Sequence, residues 1–309
     1  MNILILGAGA IGGYYGGRLA EAGAEVTFLV RPGRAAQLAR DGLVVESPVG
    51  DIRRKVATVG ADTVGPSFDV VILTCKAYDL DSSIEAIRPA MGPTTVVLPL
   101  LNGLRHLDRL DDAFGAEHVL GGLAQITGTL TPDGRILHLS PLHRLVFGSR
   151  RPVQEDVCQR LAAVMEKANF DGVRSDQILQ EMWEKHAFIA TLAGATCLMR
   201  AAVCDIMAEP MGEGLMTSMQ GEAALIADAC GTPLREKALQ AARRMLTDKK
   251  SPMVASMLRD VEAGRATEAD HVIGDLLARG RENGVEAPLL DLAYLHLRAA
   301  ANRLARESA

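Results

Sequence analysis

Hydrophobic positions change their spacing halfway along this chain of 309 residues. In the first half, short apolar runs typical of buried parallel strands alternate with segments of helical spacing. The apolar runs are 3–6, 25–30, 69–74 and 94–98, and residues 80–87 have helical spacing. After about residue 174 the strand signals stop and long helical patterns follow. We therefore predict an α/β N-terminal domain, Rossmann-like and doubly wound, over 1–173 and an all-α C-terminal domain over 174–309.

Finer features predict where individual elements begin and end. The helices of the second domain are predicted over 178–199, 214–230, 234–246, 267–282 and 288–306. Thr267-Glu-Ala-Asp270 resembles a capping box, Gly284 suits a helix stop, and Pro288 suits a first helical position. Three shorter strands, at 124–129, 135–139 and 144–147, are predicted to extend the parallel sheet on its far edge.

A glycine-rich turn near the N-terminus carries the strongest chemical signal. Residues 7–12 have the sequence Gly7-Ala8-Gly9-Ala10-Ile11-Gly12 and join the first apolar run to a helical pattern. In a dinucleotide-binding turn the first glycine permits the tight turn, and the second lets the pyrophosphate approach the backbone. The third allows close packing of helix and strand. The strand–turn–helix order favours a bound NAD(P) over a merely structural turn.

The end of the second strand indicates which dinucleotide binds. NAD sites usually place an acidic residue there, about 20 residues beyond the glycines. No Asp or Glu occupies positions 26–40, and Arg31 and Arg34 follow the strand instead. A guanidinium can bind a 2′-phosphate through two hydrogen bonds, whereas a carboxylate would repel it. We predict NADP(H) with Arg31 at the cofactor; the alternative is that both arginines are solvated loop residues.

Composition and charge narrow the class of protein. The 48% of hydrophobic and 23% of charged residues are typical of an ordinary globular protein. A net charge of −5 without a long basic stretch argues against a nucleic-acid partner. Five scattered cysteines suit a reducing cytoplasm, and no cluster predicts a metal. No apolar run predicts a membrane span or signal peptide. The sequence leaves a monomer and a homodimer open.

Polar residues beyond the strand ends are candidates for ligand contact. Thr74-Cys75-Lys76 and Asn102-Gly103 follow two of the apolar runs, and ligands of open parallel sheets gather at the carboxyl ends of the strands. Lys76 alone would be a solvated lysine, and Asn102-Gly103 alone would be a turn. Their shared location favours contact with the cofactor.

Lys185 is the candidate general acid. Its apolar neighbours in the predicted helix are Met182, Trp183, Phe188 and Ile189. A lysine in a partly desolvated cleft between the domains has a lowered pKa and can protonate the alkoxide that forms when hydride reduces a carbonyl. The alternative is a solvated lysine. His186 could perform the same chemistry, but it points elsewhere around the helix.

The chain resembles the ketopantoate reductase (2-dehydropantoate 2-reductase) family nearly end to end. The matching elements are Gly7-x-Gly9-x-x-Gly12, Arg31, Thr74-x-Lys76, Asn102-Gly103, Trp183-x-Lys185, Ser256-Met-Leu-x-Asp260 and Thr267-Glu268. The resemblance implies NADPH between a Rossmann and a helical domain, and a role in pantothenate biosynthesis. It implies that Lys185 is the general acid and that Lys76 and Asn102 lie beside the cofactor and reacting centre. Ser256 would bind the substrate carboxylate, and Glu268 the ribose or the substrate hydroxyl.

The sequence departs from the family pattern around the predicted substrate. Where the family carries asparagines one and two turns after the lysine, this chain has Ile189 and Ala193, and Val203 occupies a third such position. An aliphatic Ile189 favours a more apolar substrate.

Four hypotheses follow from these observations. The leading one is NADPH-dependent reduction of a 2-oxo acid, ketopantoate to pantoate. The alternatives are a paralogue that reduces a more apolar oxo acid and a non-catalytic NADP(H)-binding regulatory protein. A 6-phosphogluconate or hydroxyisobutyrate dehydrogenase-like enzyme is disfavoured, because residues 120–130 contain no obvious glycine-rich substrate loop apart from Gly121-Gly122.

Overall fold

The chain folds into two compact units in a computed structural model that describes residues 1–307. Unit 1 comprises residues 1–101 and 106–179, and unit 2 comprises residues 102–105 and the chain from Gln180 onward. The predicted boundary at 173/174 falls at the end of a strand, and the units divide after Leu179. The short segment 102–105 belongs to unit 2, although it follows a strand of unit 1.

Unit 1 contains ten strands and five helices. The strands are β1 (Asn2–Leu6), β2 (Glu25–Leu29), β3 (Leu43–Glu46), β4 (Ile52–Arg54), β5 (Ala57–Val59), β6 (Val70–Leu73), β7 (Val96–Pro99), β8 (Gly121–Leu130), β9 (Ile136–Gly148) and β10 (Asp171–Arg174). The helices are α1 (Ala10–Glu21), α2 (Pro32–Asp41), α3 (Leu80–Ile87), α4 (Arg105–Phe114), whose first residue belongs to unit 2, and α5 (Glu155–Met165).

The first sheet is fully parallel and has the order β5-β2-β1-β6-β7. The middle of the central strand β1 and the whole of its neighbour β6 consist of apolar residues, as is typical of parallel strands buried on both faces. Ile3, Ile5, Val70 and Ile72 are completely buried in the core of the unit. The predicted Rossmann-like α/β domain is therefore confirmed.

The prediction that residues 124–147 extend this sheet is wrong. β8 and β9 pair antiparallel and belong to a second sheet with the order β10-β9-β3-β4. The outer half of β8 alternates between exposed and half-buried residues, so it cannot sit in a sheet that is covered on both faces. The predicted strands 135–139 and 144–147 form the single strand β9.

Unit 2 is helical, as predicted. Its helices are α6 (Ile178–Met199, which begins in unit 1), α7 (Val203–Met207), α8 (Gly212–Ala229), α9 (Glu236–Leu246), α10 (Ser256–Glu262), α11 (Asp275–Glu282) and α12 (Pro288–Glu307). The predicted stop at Gly284 has a φ of +73°, and Pro288 begins α12. Both signals are confirmed.

The segment 267–282, predicted as one helix, is not a continuous α-helix. A π-helical turn, Asp270–Gly274, precedes α11. The predicted capping box is also wrong, because no side chain caps this turn. The Asp270 carboxylate instead accepts hydrogen bonds from Tyr294 at 2.7 Å and Arg298 at 2.8 Å.

Candidate active site

The glycine-rich turn connects β1 to α1 at the carboxyl edge of the parallel sheet. Gly7 has a φ of +91°, which side chains with a Cβ rarely adopt. A Cβ on Gly12 would stand 2.3 Å from the Gly7 carbonyl oxygen and 2.5 Å from Thr74 Oγ1. The Thr74 hydroxyl in turn donates to the Leu6 carbonyl at 2.8 Å. Glycine at position 12 thus allows α1 to begin directly against the ends of β1 and β6.

The N-terminus of α1 has space for an anion. Gly9 is the N-cap residue, no side chain caps the helix, and its first turn carries no acidic residue. A Cβ on Gly9 would meet no atom within 4 Å, so packing within the protein does not explain a glycine here. First-turn amides and the helix dipole stabilise phosphate groups at such a position. Gly7 to Gly12, with Ala8, Ala10 and Ile11 among them, therefore fit a dinucleotide pyrophosphate.

The two arginines after β2 have different environments. The Arg31 side chain is 86% exposed and has one long ion pair, 3.8 Å from Asp79. Arg34 instead donates from Nη2 to the Ala8 carbonyl and from Nη1 to the Gly134 carbonyl, each at 2.8 Å. Arg34 therefore braces the glycine-rich turn, and Arg31 remains the accessible guanidinium at this strand end. Lys76, the third residue after β6, is also exposed.

In unit 2, Lys185 of α6 meets Asn102. The Lys185 ammonium donates to Asn102 Oδ1 at 3.0 Å, across 83 residues of sequence. Burial lowers the pKa of Lys185 to about 8, and the nearby Glu268 carboxylate raises it in partial opposition. Glu268 is itself 9% exposed. Three of the residues that the sequence singled out, Lys185, Asn102 and Glu268, thus form one cluster.

The π-helical turn lies against this cluster, and sequence reasoning did not foresee it. Gly103 has a φ of +81°, and a Cβ there would stand 2.8 Å from the His271 carbonyl oxygen. The backbone amides of His271 and Val272 donate to the Glu268 carbonyl at 3.1 and 2.9 Å. The apolar spacing of residues 267–282 was compatible with a continuous helix, so no sequence signal marked the turn.

The remaining predicted residues of unit 2 lie apart from these hydrogen bonds. Ser256 is the exposed first residue of α10, and its hydroxyl forms no hydrogen bond within residues 1–307. Ile189 is half-buried one turn after Lys185, and Ala193 is buried a turn further on. Val203 is completely buried at the start of α7, so it cannot present a side chain to a substrate in this arrangement.

Residues 1–307 contain neither a membrane-spanning helix nor a metal-binding cluster. No helix there is long and apolar enough to cross a membrane. No group of three or more His, Cys, Asp or Glu side chains in that range could hold a metal ion.

Comparison with protein families identifies the class to which this chain belongs. The family model described as ketopantoate reductase PanE/ApbA matches residues 3–152, and the model of the C-terminal part of the same family matches residues 177–301. The chain therefore belongs to the ketopantoate reductase family. It is an oxidoreductase that acts on CH–OH groups, and its family uses nicotinamide cofactors.

Individual relatives are similar over nearly their whole length. An uncharacterized oxidoreductase, YkpB, from Bacillus subtilis is 37% identical, and the match covers 96% of this chain and 98% of YkpB. The solved 2-dehydropantoate 2-reductase from Geobacter metallireducens is 28% identical, with a TM-score of 0.87 over 97% of this chain and 100% of that one. D-mandelate dehydrogenase, solved with NADH and anilino(oxo)acetate, is 22% identical, with a TM-score of 0.88 over 98% of this chain and 99% of that one. At that identity the likeness establishes the fold alone.

Proposed function

We propose that this protein reduces a 2-oxo acid to the 2-hydroxy acid with NADPH, and that ketopantoate, which becomes pantoate, is the substrate. The observation that carries the proposal is the Lys185–Asn102–Glu268 cluster, because it contains a proton donor with a pKa near the operating range of an enzyme. Family membership favours an enzyme over the non-catalytic regulatory alternative.

Unit 1 supplies the proposed dinucleotide site. Residues Gly7 to Gly12 would hold the pyrophosphate at the N-terminus of α1, where Gly9 leaves open space. Arg31 would hold the 2′-phosphate that distinguishes NADPH from NADH, since its guanidinium is exposed after β2. Lys76 of unit 1 is a further proposed cofactor contact, and Asn102 and Glu268 of unit 2 are the others. When bound, NADPH supplies the hydride that reduces the C2 carbonyl.

Lys185 would supply the proton. Its ammonium donates a proton to the oxygen that becomes the hydroxyl, and the neutral amine remains. Asn102 Oδ1 accepts one of the ammonium hydrogens at 3.0 Å and so fixes the direction of the side chain. With a pKa of about 8, roughly nine-tenths of the lysine is protonated at pH 7 and ready to act as an acid. Ser256 is the proposed contact for the substrate carboxylate.

The experiment is a comparison of two lysine variants in NADPH oxidation with ketopantoate. Lys185→Ala should lower kcat by about 10²–10⁴, the usual scale for a general acid. Lys237→Ala, an exposed lysine of α9 in the same unit, is the matched control and should retain full activity. Both proteins should still bind NADPH through unit 1. Near-normal turnover by Lys185→Ala would overturn the assigned role of this lysine.

A second candidate substrate is a more apolar 2-oxo acid, favoured by the half-buried Ile189 one turn from Lys185. Trimethylpyruvate is a suitable probe, because it has a methyl group in place of the hydroxymethyl group of ketopantoate. A site that hydrogen-bonds the hydroxyl rejects the analogue strongly, by about 10⁴-fold in favourable cases. Equal or better kcat/KM for trimethylpyruvate would favour the apolar alternative.

A further inference from the structure

His186 follows the proposed acid Lys185 on α6 but makes a different contact. Its imidazole is 1% exposed, and Nε2 lies 2.7 Å from the carbonyl oxygen of Val272. A carbonyl oxygen only accepts, so Nε2 must carry the hydrogen. His186 Nδ1 is buried without a hydrogen-bond partner within residues 1–307. The side chain therefore makes a single polar contact, with the backbone of the π-helical turn.

That turn is an irregular piece of backbone. The Asp275 amide donates to the Asp270 carbonyl, five residues back rather than four. One extra residue is thus accommodated, and the backbone before the turn is rotated relative to its position in a regular α-helix. The Val272 carbonyl, which accepts the hydrogen bond from His186, lies inside this turn.

Glu268, which carries the carboxylate of the cluster, lies two residues before the turn and is hydrogen-bonded to it. Val272, whose carbonyl accepts from His186, donates its amide to the Glu268 carbonyl at 2.9 Å. The Glu268 side chain acts electrostatically on Lys185. Hydrogen bonds therefore link His186 through Val272 to the backbone of Glu268, and the Glu268 carboxylate acts electrostatically on Lys185, the residue next to His186 on α6.

We propose that His186 is a positioning residue, which holds the π-helical turn in the register that keeps the Glu268 carboxylate beside Lys185. This inference rests on the proposed function of Lys185 as the proton donor. His186 does not touch substrate or cofactor in this role, and it acts only through the turn.

The charges around His186 are compatible with a fixed neutral imidazole. Asp275, His271 and Arg279 face it from the turn and α11. Burial lowers the pKa of His186 to about 4, with smaller contributions in the same direction from His271 and Arg279, and outweighs the opposing effects of the Val272 hydrogen bond and Asp275. The ring therefore keeps one hydrogen near neutral pH. His186 is a constant hydrogen-bond donor, not a group that titrates during the reaction.

Two amide substitutions at position 186 distinguish a role of the His186–Val272 hydrogen bond from a role of His186 in packing alone. In His186→Gln the amide nitrogen stands near the position of Nε2 and can donate to Val272. In His186→Asn the side chain is one carbon shorter, so the amide nitrogen stands near the position of Nδ1 and cannot reach the Val272 carbonyl. His186→Leu removes the donor altogether. Thr191→Val is the matched control, because it deletes a buried hydrogen bond of 2.8 Å to Ala187 within α6 and leaves the turn untouched.

The readout is the titration of Lys185, followed by NMR of lysine labelled at Cε. The chain has seven lysines, and Lys185→Arg assigns the signal. When the Glu268 carboxylate moves away, the ammonium loses a favourable partner, so the Lys185 midpoint should fall by about one unit in the Asn and Leu variants. The Gln and Thr191→Val proteins should titrate like the wild type.

Each outcome decides the proposal. If the Leu variant fails to fold, the Asn and Gln pair still carries the comparison. Unchanged Lys185 midpoints in the Asn protein, with only a lower melting temperature, would overturn the proposal and make His186 a packing residue. The titration needs neither NADPH nor substrate. A protein that titrates as expected but reduces no 2-oxo acid would refute the proposed function while the positioning role stands.

Discussion

Replacing Glu268 with glutamine should move the alkaline loss of reductase activity to lower pH. Lys185 must be protonated to act as the acid, so kcat/KM should be constant below its pKa of about 8 and fall as pH rises through it. The Glu268 carboxylate raises that pKa against the effect of burial. Without its charge, the midpoint should fall to about 7, since an opposite charge at close range is worth about one unit or more.

The size of the effect depends on pH in a predictable way. At about pH 8 the protonated fraction of Lys185 drops from roughly a half to roughly a tenth, so kcat/KM should fall about fivefold. At about pH 6 both proteins have a protonated lysine, and the difference should nearly vanish. The oxidation of the hydroxy acid requires the neutral amine, so its acidic limb should move in the same direction.

The assay is a pH profile of kcat/KM for the oxo acid with NADPH at saturation. Glu286→Gln is the matched control, because it removes the same charge from an exposed position of unit 2. Its profile should coincide with that of the wild type, since solvent and salt screen such a charge. A midpoint that stays at the wild-type value in Glu268→Gln, or rises, would refute the electrostatic role of Glu268.

The remaining predictions concern the proposed cofactor contacts and the proposed substrate contact of Ile189. Gly12→Ala should lower the free energy of unfolding by about 3 kcal/mol, because its Cβ would overlap a backbone carbonyl 2.3 Å away. Gly9→Ala should leave urea denaturation unchanged yet weaken NADPH binding; equal stability losses in both would contradict this reasoning. Arg31→Ser should raise the KM for NADPH about 10- to 100-fold, through loss of charge-assisted hydrogen bonds, and spare the KM for NADH. Ile189→Asn should shift the kcat/KM ratio toward ketopantoate over trimethylpyruvate, and a shift the other way would count against a pocket lined by Ile189.

Local pattern was sufficient for the elements that depend on neighbouring residues alone. The helices 80–87 and 178–199 were predicted with the bounds observed, because apolar spacing and helix-breaking residues act within a few turns. The strand–glycine–helix order similarly determined the turn at residues 7–12. The alternation of strands and helices, followed by helices alone, determined the fold class.

Local sequence pattern could not predict which distant segments pair with one another. β8 and β9 have clear strand signals, but their sheet is decided by β3 and β10, which are four residues long and only weakly patterned. Arg34 and Arg31 are equivalent in the sequence. Only the folded structure shows that Arg34 donates hydrogen bonds to the Ala8 and Gly134 carbonyls.

The chemistry of the candidate site divides in the same way. The residue types, a lysine among apolar neighbours and glycines before a helix, were determined by the sequence and indicated an acid and a phosphate site. The lowered pKa of Lys185 and its bond to Asn102, 83 residues away, were decided by tertiary structure, as was the π-helical turn that joins His186 to Glu268. The physical reason is that desolvation and charge–charge interactions depend on distance in space, which spacing along the chain does not contain.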